Sequence, residues 1–155
     1  MKLAEIICII IAAVLCFMIV GGCDPGYGYV ELTPNSYFDR LFIQDGKVYM
    51  LCCLEFVNNT GSDWSVDVAA ASEEDEENGL LKDCHLKLYI VNAKDLSEVN
   101  ETNIDRLLEP ADRIGIDAHG TIRYCACFVG EHGGGMQKHD RELPDMITIA
   151  ARPRK

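Results

Sequence analysis

Positive charge is scarce in this chain: Lys and Arg number 14 against 25 Asp and Glu, for a formal net charge of −11. An excess of this sign argues against nucleic acid and anionic lipid surfaces as partners, since both repel it. The patterns of common catalytic sites are missing as well. No G-x-S-x-G nucleophile elbow occurs. No C-x-x-C pair stands at a helix start, where a thiol pKa is lowered. The His and Cys spacings fit no zinc site, which gathers four ligands, commonly from close-spaced pairs. No segment repeats. The longest apolar run, Ile6–Val20, falls short of the roughly 20 residues that span a bilayer comfortably.

What is present begins at the N-terminus. Lys2 precedes the apolar run, and Gly21-Gly22-Cys23 follow it. A basic start, an apolar stretch and small residues before a cut site make up a secretory signal. Val20-Gly21-Gly22-Cys23 resembles the lipobox of bacterial lipoproteins, an aliphatic residue and two small ones before a cysteine. The resemblance covers the first 23 residues. It implies that the Cys23 thiol carries a diacylglycerol and that cleavage makes Cys23 the first residue. Acylation with palmitate-like chains would then hold the protein firmly, since one chain alone binds a membrane only marginally. Glu5 and the Gly at the second lipobox position depart from the commonest pattern. The competing expectation is an uncleaved helical anchor. Either way, the single side-chain cation ahead of the run puts the rest of the chain outside the cytoplasm. The expected organisation is a signal peptide over 1–22, the lipidated Cys23 and a short tether over 23–28, and one domain over 29–155.

Of the eight cysteines, Cys8 and Cys16 lie in the apolar run and Cys23 is the candidate lipid site. Cys52, Cys53, Cys84, Cys125 and Cys127 remain. This odd set cannot pair completely within one chain, and in an exported protein it is expected to supply disulfides or buried thiols.

Beyond the tether the chain reads as short strands. Runs 37–44 and 47–57 flank Asp45-Gly46, a strong hairpin signal. In the second run Val48, Met50, Cys52, Leu54 and Phe56 share the expected core face, since the opposite face carries Glu55. Asn58 to Asp63 forms a turn. Trp64, Val66, Val68 and Ala70 mark a further strand, residues 73–79 an acidic loop, and Cys84, Leu86, Leu88 and Ile90 the inward face of another strand. The only helical signal lies in 95–109, where Thr102 or Asn103 is placed to cap and Pro110 to stop. Ile114-Gly115-Ile116 and 121–129 read as a hairpin about Ala118-His119-Gly120. Residues 130–144 read as a long polar loop, and 146–150 as a closing strand.

This succession predicts a mainly β fold, an antiparallel β-sandwich with one short helix in a crossover. The order of elements resembles the immunoglobulin-like domains behind lipoboxes in Gram-positive surface lipoproteins. The NNTG turn after a long apolar strand, the AHGTI segment and the closing LPDMITI carry that likeness, across roughly residues 47–151. It implies a binding or adhesion module without a catalytic site.

Strand alternation sets Cys52 and Cys84 on core faces and lets Cys53 meet Cys125 or Cys127 across adjacent strands, provided the β-carbons approach closely. His119, His132 and His139 lie near Cys125 and Cys127 in sequence, but their spacing fits no metal site. The consecutive acids of Glu73–Glu77 point in different directions rather than alternating as in an ordered calcium loop. The loop 130–144 is long, its glycines imply mobility, and such loops are common binding places. No catalytic residue, metal or cofactor is assigned. The expected function is that of a non-enzymatic, lipid-anchored module on the extracytoplasmic face of the cell membrane. Its partner would be a protein, peptide or envelope polymer. The second expectation is a metal- or redox-handling lipoprotein using the cysteines and loop histidines.

Overall fold

The computed structural model describes residues 30–111, 114–137, 143–144 and 146–154, with the side chains of 146–150 left out. The signal, the lipobox, Cys23, the tether and His139 lie outside the described residues.

Among the described residues the chain is mainly β and antiparallel, with two short α-helices. The strands are β1 (Val30–Leu32), β2 (Tyr37–Gln44), β3 (Lys47–Asn58), β4 (Trp64–Ala71), β5 (His85–Val91), β6 (Leu108–Pro110), β7 (Ile114–Ile116), β8 (Thr121–Glu131) and β9 (Met146–Pro153). The helices are α1 (Glu73–Glu77) and α2 (Ile104–Leu107), with a 3-10 turn over Leu96–Glu98. The β2–β3 hairpin closes as its sequence predicts. Asp45 and Gly46 hold φ of 48° and 74°, the left-handed pair whose twist matches the flanking strands.

β3 is the spine. It pairs with β8 along nearly its whole length, and on its other edge with β2 and then β1. β5 starts beside β4 (Ala70↔Leu86) and continues beside β8 (Leu88↔Phe128), so it joins the two sets of strands. β4 pairs β9 on one edge and β7 on the other.

Two buried clusters lie on opposite faces of β3. The first gathers Val48, Met50, Cys52, Leu54 and Phe56 with Trp64 and Val66 of β4, Leu88 of β5, Ile116 of β7 and Phe128 of β8. The second gathers Tyr49, Leu51 and Cys53 with Phe42, Val91, Cys127 and three residues of the β5-to-β6 crossover, Leu96, Val99 and Ile104. The expectation of one core face on β3 is thereby corrected. Both faces are apolar because the crossover is laid over the second, and Glu55 marks only where that cover ends.

Other expectations change for local reasons. Residues 73–77 form a helical turn rather than a loop, because Ser72 Oγ donates to Asp75 Oδ2 at 2.6 Å and turns that carboxylate inward. The flanking glutamates stay exposed. The crossover helix is only four residues long, and Leu108–Pro110 pairs with β5 instead of ending a longer helix. β7 and β8 are not a hairpin. β7 pairs with β4, and β8 pairs with β3 and β5. Cys84 stands just ahead of β5 and is half-buried rather than in the core.

The first part of the 130–144 segment is pinned. His132 bridges Leu81, Gly133 N donates to Leu80 O, and Gly135 N donates to Gly79 O. A Cβ on Gly133 would sit 2.6 Å from Gly79 O, and one on Gly135 2.7 Å from the same atom. Close backbone approach, not mobility, is what these two glycines serve.

The NNTG and AHGTI segments meet. Asn58 is buried, and its amide nitrogen donates to Ser62 O at 2.8 Å and Asp117 O at 2.9 Å. Its Oδ1 accepts from Thr60 N at 3.0 Å and Thr60 Oγ1 at 2.9 Å. His119 N donates to Thr60 O, and Trp64 Nε1 donates to Thr60 Oγ1.

Candidate functional site

The β5-to-β6 crossover covers the second face of β3 only in part. Where it stops, a cleft of about 380 Å³ opens, with Cys53 of β3 and Arg123 and Cys125 of β8 beside Tyr37 of β2 and Lys94 and Asp95 of the crossover. A second cleft of about 310 Å³ shares Tyr37 and Asp95 and reaches Arg40. A third, of about 430 Å³, runs from Arg40 to Thr102. Together they trace the seam between β2 and the crossover. Arg40 spans that seam, donating from Nη2 to Leu96 O and pairing through Nε with Asp39 at 2.8 Å.

Register sets the chemistry of the first cleft. β3 and β8 place Glu55 opposite Arg123 and Cys53 opposite Cys125. Arg123 Nε donates to Cys53 Sγ at 2.7 Å, and its guanidinium lies over the Tyr37 ring at 5.8 Å. Glu55 accepts from Thr33 Oγ1 and Asn35 Nδ2, each at 2.7 Å. Those two bonds, Thr33 first, hold its carboxyl below the usual range. Arg123 therefore faces the cleft with a thiol and an aromatic face, while its cross-strand acid is engaged elsewhere.

The five cysteines divide. Cys52 and Cys127 are fully buried, on opposite faces. Burial pushes the Cys127 thiol up from 9.0 to about 12, so it stays protonated. Cys84 is raised by partial burial first and by Glu76 next. Cys125 is half-buried, and its thiol is raised by burial and then by Cys53. Only Cys53 and Cys125 face one another across strands.

The histidines do not converge. His119 and His132 flank the two ends of β8, thirteen positions apart, which in a strand is about 40 Å. The His132 ring sits 2.8 Å from Gly135 O. Among the described residues no three His, Cys, Asp or Glu side chains gather as a metal group. Arg123 and Tyr37 were not picked out from sequence. The signal that finds them is the β3–β8 register, which no local pattern contains.

Beneath the crossover Tyr49 donates to Asp105 Oδ1 at 2.9 Å and stacks on Phe42. Burial first, and then this bond, push its phenol up from 10.0 to about 12. The folded protein keeps the proton where the unfolded chain has lost it. That stability is complete below about pH 10 and is lost as pH rises toward 12. Tyr49→Phe should therefore lower stability by about 1 kcal/mol at neutral pH, for the lost bond. It should also make the unfolding midpoint fall less steeply between pH 10 and 12, with Cys127 left to contribute. Chemical denaturation across that window reads both effects. An unchanged slope would mean that Tyr49 does not govern alkaline stability.

No family model matches the chain, and neither a curated protein nor a solved structure does so. Among the described residues no helix is long and apolar enough to cross a membrane.

Proposed function

We propose that this chain is a lipoprotein tethered through Cys23 to the outer face of a cell membrane, and that its domain acts by binding rather than catalysis. Its strands are assigned to an immunoglobulin-like sandwich, β1, β2, β3, β8, β5 and β6 forming one layer and β9, β4 and β7 the other. Support for the layers comes from the first buried cluster, which brings the inner face of β3 together with β4 and β7. The Val20-Gly21-Gly22-Cys23 sequence supports the tether. The observation that carries the binding role is the cleft with Arg123, Lys94 and Tyr37. It offers two cations and an aromatic face against one carboxylate, Asp95, on a domain that is otherwise strongly acidic, which favours a ligand bearing a carboxylate or other anionic group. An envelope peptide or polymer with such groups fits.

A photoreactive residue in place of Tyr37, 46 % exposed at the cleft, tests this in intact cells of the source. The same residue at Met136, 70 % exposed, serves as control. A discrete adduct from position 37, absent from position 136 and lost on adding Arg123→Ala, is expected. No adduct at 37, or equal adducts at both positions, would contradict the binding role.

A further inference from the structure

The register at the cleft floor says more about the two thiols. Gly46 O accepts from His132 N at 2.9 Å, and Asn58 N donates to Gly120 O at 2.9 Å. These two bonds bracket an unbroken β3–β8 register. Alternate positions from Gly46, just ahead of β3, to Asn58 at its end therefore exchange hydrogen bonds with the β8 side, and the positions between them do not. Cys53↔Cys125 falls in the second set. A non-hydrogen-bonded pair brings Cα atoms to roughly 4.5 Å and its side chains closer than the alternative pair. Disulfides span Cα separations of about 4.4–6.8 Å. The other described cysteines lack this geometry, since Cys52 stands opposite Ala126, Cys127 opposite Leu51, and Cys84 lies ahead of β5, outside the paired strands.

We propose that Cys53 and Cys125 are a thiol–disulfide exchange site, closing a cross-strand bridge when the cleft admits a disulfide-bearing oxidant. Cys125 is the half-buried member and meets the oxidant, whereas Cys53 is 4 % exposed and completes the reaction. The Cys125 thiolate, a minority species because burial raises this thiol, attacks one sulfur of the incoming disulfide RSSR and expels RS⁻. The Cys53 thiolate, beside the Arg123 guanidinium, then attacks Cys125 Sγ in the mixed disulfide and expels the second RS⁻. The two protons given up by the protein thiols end on the leaving groups. Two protein thiols and RSSR thus become one protein disulfide and two RSH, with two electrons passed to the oxidant. The proposal stands on register and on access of the oxidant to Cys125, and does not require the anionic ligand proposed above.

The test uses the full chain in mild detergent, reduced, then treated under native conditions with oxidised glutathione. Remaining thiols are alkylated, and the linked peptides are sequenced by mass spectrometry. A Cys53–Cys125 link is expected in the wild type, retained in Cys52→Ala and Cys127→Ala and lost in Cys125→Ala. Absence of the link, a link joining other cysteines in its place, or glutathione left on Cys125 as the end product would each overturn the assignment. The photo-crosslinking result is unaffected in any of these cases, so the two readings fail separately.

Discussion

Asn58→Ala is expected to destabilise the domain by about 3 kcal/mol, a value set by losing several hydrogen bonds of one buried side chain at roughly 0.5–1.5 kcal/mol each. The side chain satisfies two carbonyls, Ser62 O and Asp117 O, and one amide, Thr60 N, at a residue only 1 % exposed. The two carbonyls belong to different turns. Their loss therefore loosens the β3–β4 turn and the β7–β8 turn together. Trp64 feels it too, since its indole bonds Thr60 Oγ1, which itself bonds Asn58 Oδ1. Thermal unfolding should shift down by about 10 °C. Asn58→Asp is the sharper variant. It keeps the acceptor but turns an oxygen toward two carbonyls, so it should be at least as damaging. A loss under about 0.5 kcal/mol for the Ala variant would mean that water replaces the amide and that the two turns are not coupled through it.

This residue also shows how far the sequence could be followed. The NNTG turn was visible as turn chemistry and AHGTI as a strand entry, but nothing local says that one side chain joins them. The same limit recurs. Asp45-Gly46 was legible because the demand for two left-handed residues is local. The strand over Trp64–Ala71 was legible because alternation is local too. The second buried face of β3 was not, because its cover comes from Leu96, Val99 and Ile104, far along the chain, and Glu55 interrupts the pattern. β7 and β8 looked like a hairpin because adjacency in sequence does not name a strand's partner. α1 was hidden by its own acids, which leave no apolar stripe, and the inward turn of Asp75 rests on Ser72.

At the candidate site, alternation placed Cys53 opposite the β3 core face and left Cys125 and Cys127 as alternative neighbours across the strands. Only the register distinguishes them, by setting Cys53 against Cys125 and Leu51 against Cys127. Arg123 gave no sequence signal, since one cation in a strand is ordinary. It became notable once Glu55, opposite it, was found engaged by Thr33 and Asn35. The glycines of 133–135 carried a misleading signal. Glycine serves flexibility and close approach equally, and here Gly133 and Gly135 lie against the backbone of residues 79–81.

On the proposed lipid tether, Cys23→Ser carries the second large effect, because lipid attachment is all or none. A thioether to diacylglycerol needs the sulfur, and signal cleavage in the lipobox family follows lipidation. The serine variant should therefore lose lipid and keep its signal. Removing this sulfur leaves the domain sequence untouched, so the unfolding midpoint of the domain should stay where it is in the wild type. The measurement that tests the tether most directly is metabolic labelling with a palmitate analogue in the source cell, joined to intact-mass analysis of the membrane fraction. The account predicts a labelled wild-type protein that starts at Cys23 and carries acyl mass. It predicts an unlabelled Cys23→Ser protein of full precursor length. A labelled serine variant, or a wild-type protein that is cleaved elsewhere and unlabelled, would contradict the lipid anchor.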